Sequence, residues 1–115
     1  MTSFKELIVW QKGVDLSVKV YALCKKLPTS EQYGLSSQMK RAAVAIPSNI
    51  AEGYRRNGRK EYCQFCGIAL GSAAELETQL IITSKIYKQI DTKPAIDMCT
   101  EVQKMLHSLI AKLRN

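Results

Sequence analysis

The chain has 115 residues, 46% of them apolar, and carries 17 basic against 10 acidic side chains for a net charge of +7. That is one domain with enough apolar material for a core, and three prolines, six glycines and few aromatics favour helix over strand. No stretch approaches the ~20 apolar residues that span a bilayer, and charges at Lys5, Glu6 and Lys12 argue against a secretory leader, so a cytoplasmic protein without membrane association is expected.

Three breaks divide the chain into four helical stretches: Leu27-Pro28-Thr29-Ser30, Arg56-Asn57-Gly58 and Asp91-Thr92-Lys93-Pro94. Each has the proline, glycine, asparagine or aspartate chemistry of a turn. The first helix is predicted from about Ile8 to Lys26. Val9, Leu16, Val20, Leu23 and Leu27 recur at helical spacing, with Trp10, Val14, Val18 and Tyr21 as a second stripe. So wide an apolar face suits a helix with two neighbours.

Thr29-Ser30-Glu31-Gln32 fits a capping box, but Gly34 interrupts the first turn, so the second helix is placed from Ser36 or Ser37. Leu35, Met39, Ala42, Ile46, Ile50 and Tyr54 form its face. Pro47 removes one backbone hydrogen bond and predicts a kink near Ala43 to Pro47. The apolar period continues in phase across it, which favours one kinked helix over two. The third helix follows Asn57-Gly58 and runs to about Lys88, with Tyr62, Phe65, Ala69, Leu76, Leu80, Thr83 and Tyr87 on one stripe. Gly67, Gly71, Ser72, Ala73 and Ala74 make its middle thin, matched by Ala42, Ala43 and Ala45 on the second helix. Ile81 and Ile82 beside Leu80 leave it apolar on more than one face, which suggests an additional interface and a homo-oligomer.

The fourth helix is predicted from about Thr92 to Arg114, capped by Asp91 or Thr92, with Pro94 in its first turn. Ile96, Cys99, Val102, Leu106, Leu109 and Leu113 alternate three and four apart, and Met98, Met105 and Ile110 widen the face. The expectation is a single all-α domain over residues 1–115, an antiparallel up-down-up-down four-helix bundle with long second and third helices.

Catalytic and metal chemistry find little support. Cys63 and Cys66 form a C-x-x-C, but this topology puts them at the opposite pole from Cys24 and Cys99, roughly 20 Å away, which excludes one tetrahedral zinc site. Buried, reduced thiols are expected instead. His107 is the one histidine, and no nucleophile–base pair assembles around it. Glu52, Glu75 and Glu77 lack the Glu-x-x-His partners of a bundle di-metal site. No phosphate loop or dinucleotide motif occurs. A non-enzyme without cofactor or metal is expected.

The basic residues carry more information. Arg55, Arg56, Arg59 and Lys60 surround the second turn, and with Glu52 and Glu61 that window nets +2. Arginine forks suit phosphate, and the free N–H groups opening the third helix beside Gly58 would face an anion. Tyr54 and Tyr62 flank the turn and either stack on a base or pack. Lys40 and Arg41 form a second basic site. Counting back from the turn sets Arg41 level with Ala74 and Glu75, which allows an Arg41–Glu75 ion pair or two solvated side chains. These six cations are the candidate nucleic-acid contacts.

The stretch Ile46-Pro47-Ser48-Asn49-Ile50-Ala51-Glu52-Gly53, with Val9-Trp10-Gln11-Lys12, Gln32-Tyr33-Gly34-Leu35, Gln38 and Gly71-Ser72-Ala73-Ala74-Glu75-Leu76-Glu77, resembles the four-helix-bundle family named for the 23S ribosomal RNA intervening sequence. That family includes the accessory variability determinant of diversity-generating retroelements. The resemblance spans nearly the whole chain. It implies an up-down bundle assembling into a ring, commonly a homopentamer. For retroelement members it implies a basic surface for nucleic acid and a reverse transcriptase partner. It implies no enzyme. Asn49, Glu52 and Gly53 on the second helix and Ser72, Glu75 and Glu77 on the third match family positions and read as structural, holding those helices together. Gly13 and Cys66 depart from the family pattern. A protein–protein scaffold whose charge is incidental is the alternative reading.

Overall fold

The computed structural model describes residues 3–115; of the N-terminal stretch read for a leader, Met1 and Thr2 lie outside them. Four helices account for most of the chain: α1 (Ile8–Cys24), α2 (Leu35–Tyr54), α3 (Arg59–Ile86) and α4 (Lys93–Arg114), with no strand among the described residues. α1 packs on α2 and α4, α3 packs on the same two, and α1 and α3 sit diagonally across the bundle with no close approach of their backbones. The rod measures 43 × 20 × 20 Å, and its length is that of α3 at ~1.5 Å per residue.

The apolar stripes meet along the axis. Leu16 and Val20 of α1, Met39, Ile46 and Ile50 of α2, Leu76 and Leu80 of α3, and Val102 and Leu106 of α4 are fully buried. The second stripe of α1 is only half used. Trp10 and Val14 are partly covered, whereas Val18 and Tyr21 lie in solvent, because the diagonal position gives α1 no third neighbour.

The ends of the helices follow local chemistry with some differences from expectation. α1 stops at Cys24 and α3 at Ile86, each two residues early. A short 3-10 turn, Phe4–Glu6, precedes α1 and is closed by a reciprocal Ser3–Glu6 capping box. The predicted box at Thr29 to Gln32 is instead a 3-10 turn, Thr29–Glu31. Glu31 from that turn accepts the Leu35 N–H at 3.1 Å, so α2 opens a residue before the expected Ser36. Glu31 also accepts the Tyr87 hydroxyl at 2.5 Å and so clasps the α1–α2 connection to the end of α3. Of the two candidate caps for α4, Asp91 acts, accepting the Lys93 N–H at 3.2 Å.

Pro47 lies inside α2, which runs unbroken through it. Its missing N–H leaves the Ala43 carbonyl without its helical donor. The Ser17 hydroxyl of α1 reaches that carbonyl at 3.1 Å, sharing its proton with the Gly13 carbonyl at 3.1 Å. Gly13 lets the proline ring in close: a Cβ there would stand 3.4 Å from both Pro47 Cβ and Cδ. At that spacing a methyl group would make ordinary contact, so the ring leaves room at position 13 for little more than a methyl.

α3 is long and apolar enough to cross a membrane, with a mean hydropathy of 1.3 over its most apolar window. The expectation that no stretch comes near that composition was too strict. The inner face of this helix, Cys66, Ala69, Ala73, Leu76 and Leu80, belongs to the bundle core. Its apolar excess lies outward, where Ile68, Ile81, Ile82 and Ile86 are all exposed.

Candidate nucleic-acid interface

The up-down topology sorts the charges along the rod. The pole at the α2–α3 turn holds Lys5, Arg55, Arg56, Arg59, Lys60, Lys112 and Arg114 against Glu6, Glu52 and Glu61, a net +4. The opposite pole holds Lys25, Lys26, Lys85, Lys88 and Lys93 against Glu31, Asp91 and Asp97, a net +2. Four of the five arginines are at the first pole. Lys112 and Arg114 were missing from the sequence-predicted set. The signal was available: in this topology α4 must end where α2 turns into α3.

The cations at this pole are held by specific contacts. Arg55 lies over the Phe4 ring with its guanidinium carbon 5.5 Å from the centroid. Arg56 reaches Glu52 at 3.5 Å and Glu61 at 3.9 Å, and its guanidinium carbon lies 4.9 Å from the Phe65 centroid. Arg59 donates to the Lys112 carbonyl at 2.6 Å, tying the end of α4 to the start of α3. Lys60 lies across a groove from Arg114. No side chain caps the start of α3 at Gly58, which leaves its first N–H groups turned towards this basic end. The exposed ion pairs add little stability; their effect is to fix guanidinium planes.

The aromatics resolve in favour of packing. Tyr54 and Tyr62 meet edge to face at 5.9 Å and Phe4 meets Tyr54 at 6.4 Å. Burial pushes the Tyr62 hydroxyl up to about 12. Lys40 and Arg41 do not join this pole. They lie about 20 Å away along α2, beside Tyr21, Val44 and Ala45, with the Lys40 ammonium 4.9 Å from the Tyr21 centroid.

The positions matched by resemblance divide into several roles. Gly53 holds α2 against α3: a Cβ there would come 2.7 Å from Phe65 Cβ and 3.2 Å from the Tyr62 carbonyl oxygen. Asn49 donates to the Ala45 carbonyl of its own helix at 2.7 Å, and Glu52 pairs with Arg56. Glu77 accepts from Gln103 at 3.0 Å and therefore joins α3 to α4, not to α2. Ser72 is partly buried. The Arg41–Glu75 ion pair does not form. Both side chains are exposed along one groove with Gln38, Ala42 and Ala45, where two solvated charges gain little by meeting. Polar links between the helices run instead from Gln79 to Gln38, at 3.5 Å, and from the Thr83 hydroxyl to the Met39 sulfur, at 3.6 Å.

The thiols are embedded in packing. Cys24, Cys66 and Cys99 are buried and Cys63 is partly exposed. The Cys99 thiol donates to the Ala73 carbonyl at 3.2 Å and the Cys24 thiol to the Ser36 carbonyl at 3.8 Å. Burial raises Cys66 to about 12 and Cys99 to about 11, so both stay protonated and poor as nucleophiles or ligands at neutral pH. His107 is exposed on α4. Among the described residues no three His, Cys, Asp or Glu side chains gather to hold a metal ion.

Fold and surface together define a small all-α bundle with one arginine-rich end. Residues 5–108 match the family described as 23S rRNA-intervening sequence protein, and the chain belongs to that family. A crystal structure of a protein of unknown function from the S23 ribosomal protein family of Bacteroides thetaiotaomicron superposes with a TM-score of 0.81. It is 27% identical, over 90% of this chain and 98% of that one. No curated protein matches.

Proposed function

We propose that this chain is a non-enzymatic, ring-forming accessory protein that binds RNA or DNA through the phosphates at its arginine-rich pole. The observation that carries the reading is the clustering there of seven cations against three carboxylates, with four of the five arginines. Guanidinium groups grip phosphate in two-pronged fashion, and the open start of α3 adds N–H donors. Nothing at the pole enters a groove to read base edges in order, so little sequence preference is expected. Ring assembly, with a homopentamer the number drawn from the family resemblance, would repeat the pole once per subunit and strengthen binding to one polyanion. The exposed isoleucines on α3 favour such self-assembly, and light scattering that gives a stable monomer at micromolar concentration would remove it. A reverse transcriptase partner and a cytoplasmic setting belong to the same proposal, and Lys40 and Arg41 are the reserve contact surface.

The test is to replace Arg55, Arg56, Arg59 and Lys60 together by glutamine and follow oligonucleotide anisotropy through a salt titration. Weaker binding to every sequence and a flatter salt dependence are expected, because fewer counterions are released. Unchanged binding would rule out this pole. Absence of binding by the parent chain would favour the scaffold reading, which the exposed isoleucines of α3 also suit.

A further inference from the structure

We propose that the groove between α3 and α4 at this pole seats one unpaired nucleobase, so that the pole prefers single-stranded to fully paired nucleic acid. The inference rests on the phosphate-binding reading above. The groove is lined by Lys60, Cys63 and Gln64 from the first turns of α3 and by Leu113 and Arg114 from the last turn of α4. Leu113 and Cys63 pack partly against the core and leave their remaining surface along the groove. They provide an apolar surface for the flat face of a base. The Gln64 amide offers both a donor and an acceptor to a base edge, which suits any base without selecting one. Lys60 and Arg114 are placed for the phosphates on either side of the seated nucleotide, and a guanidinium also lies well over a base face.

Two further features support the assignment. The Arg59 bond to the Lys112 carbonyl, at 2.6 Å, fixes the last turn of α4 beside the first turn of α3, so the groove is formed before any ligand arrives. The tyrosines at the pole are engaged with each other and with Phe4 and supply no stacking platform. In a duplex every base is paired and stacked, and extracting one costs more than a single shallow groove returns. Selection of unpaired strands follows from that imbalance.

Cys63 is a reporter already in place, since the other three thiols are buried. The experiment measures iodoacetamide alkylation of Cys63 by mass spectrometry with no ligand, with oligothymidylate, and with an abasic strand of the same length, while anisotropy follows binding. The expected result is several-fold slower alkylation with oligothymidylate and no protection by the abasic strand at equal occupancy. The abasic strand should also bind about tenfold more weakly. The exposed Gln64 gives a second readout: Gln64→Ala should weaken oligothymidylate binding and leave the abasic strand unaffected. Equal protection by both strands, or binding of both without protection, overturns the groove assignment and leaves the phosphate reading intact. Binding of neither strand overturns both.

Discussion

At the arginine-rich pole the protein fastens its own cations. Arg56 is set between Glu52 and Glu61, Arg59 is bonded to the end of α4, and Arg55 lies on Phe4. At the opposite pole it is the carboxylates that are engaged: Glu31 with Leu35 and Tyr87, Asp91 with Lys93, and Asp97 with the Lys93 ammonium at 2.8 Å. One end is a set of oriented forks over a positive net charge, and the other is a structural clasp among lysines, of which Lys93 is itself paired with Asp97. The comparison teaches that net charge does not locate a polyanion surface; arrangement does. Guanidinium planes held by neighbours lose less freedom on binding than free lysine chains.

The strongest test of that comparison is to neutralise each pole in turn. Replacing Arg55, Arg56, Arg59 and Lys60 by glutamine should lower oligonucleotide affinity about 100-fold at low salt. The matching change of Lys25, Lys26, Lys85 and Lys88 should cost less than about threefold. Anisotropy on the two variants decides it, and equal losses would reduce the difference between the poles to bulk charge.

The next effect concerns how the arginine pole is closed. Gly53→Ala should destabilise the bundle by about 1–2 kcal/mol, because forcing Phe65 away outweighs a helix-propensity gain of ~1 kcal/mol. Gly67→Ala and Gly71→Ala, where a Cβ meets nothing within 4 Å, should each stabilise by up to ~1 kcal/mol. Urea unfolding of the three variants would show opposite signs for the same substitution. A neutral result at Gly53 would mean that α2 and α3 can separate without loss.

The smallest effect belongs to the clasp. The Tyr87 hydroxyl, and after it the Leu35 N–H, hold the Glu31 carboxyl below its ordinary range. A carboxyl lowered on folding contributes stability above its unfolded value, near pH 4.3, and loses it as the pH falls through the folded value. Glu31→Gln should therefore be less stable than the parent at neutral pH, and the gap should narrow on acidification below about pH 4. Denaturant melts at neutral and acid pH check this, and a gap independent of pH would show that Glu31 acts by shape alone.

The helices were legible because apolar spacing and turn chemistry act locally. Pro28, Asn57-Gly58 and Pro94 mark the breaks, and Met39, Ile46, Leu76 and Leu106 sit in the core as their spacing requires. What escaped depends on partners distant along the chain. Glu31 reads as a local capping residue until Tyr87 is known to lie beside it. Arg59 looks free until the end of α4 arrives under it. The Arg41–Glu75 pair fails because opposite charge at matched height says nothing about whether two solvated side chains gain by touching. Tyr54 and Tyr62 could be read either way, and their contact with each other and with Phe4 decides for packing.

The bond from Ser17 to the Ala43 carbonyl has a consequence for how the first two helices can be aligned. Apolar faces with small residues tolerate sliding by a helical turn, about 5.4 Å, with little change in buried area. Here a slip would strand the carbonyl that Pro47 leaves open and press a bulkier side chain where Gly13 now admits the proline ring. The hydroxyl, the glycine and the proline form a three-part key that fits at one position along the axis. A residue that would weaken an isolated helix thereby sets the register of a pair, and with it the height at which the ends of the bundle meet.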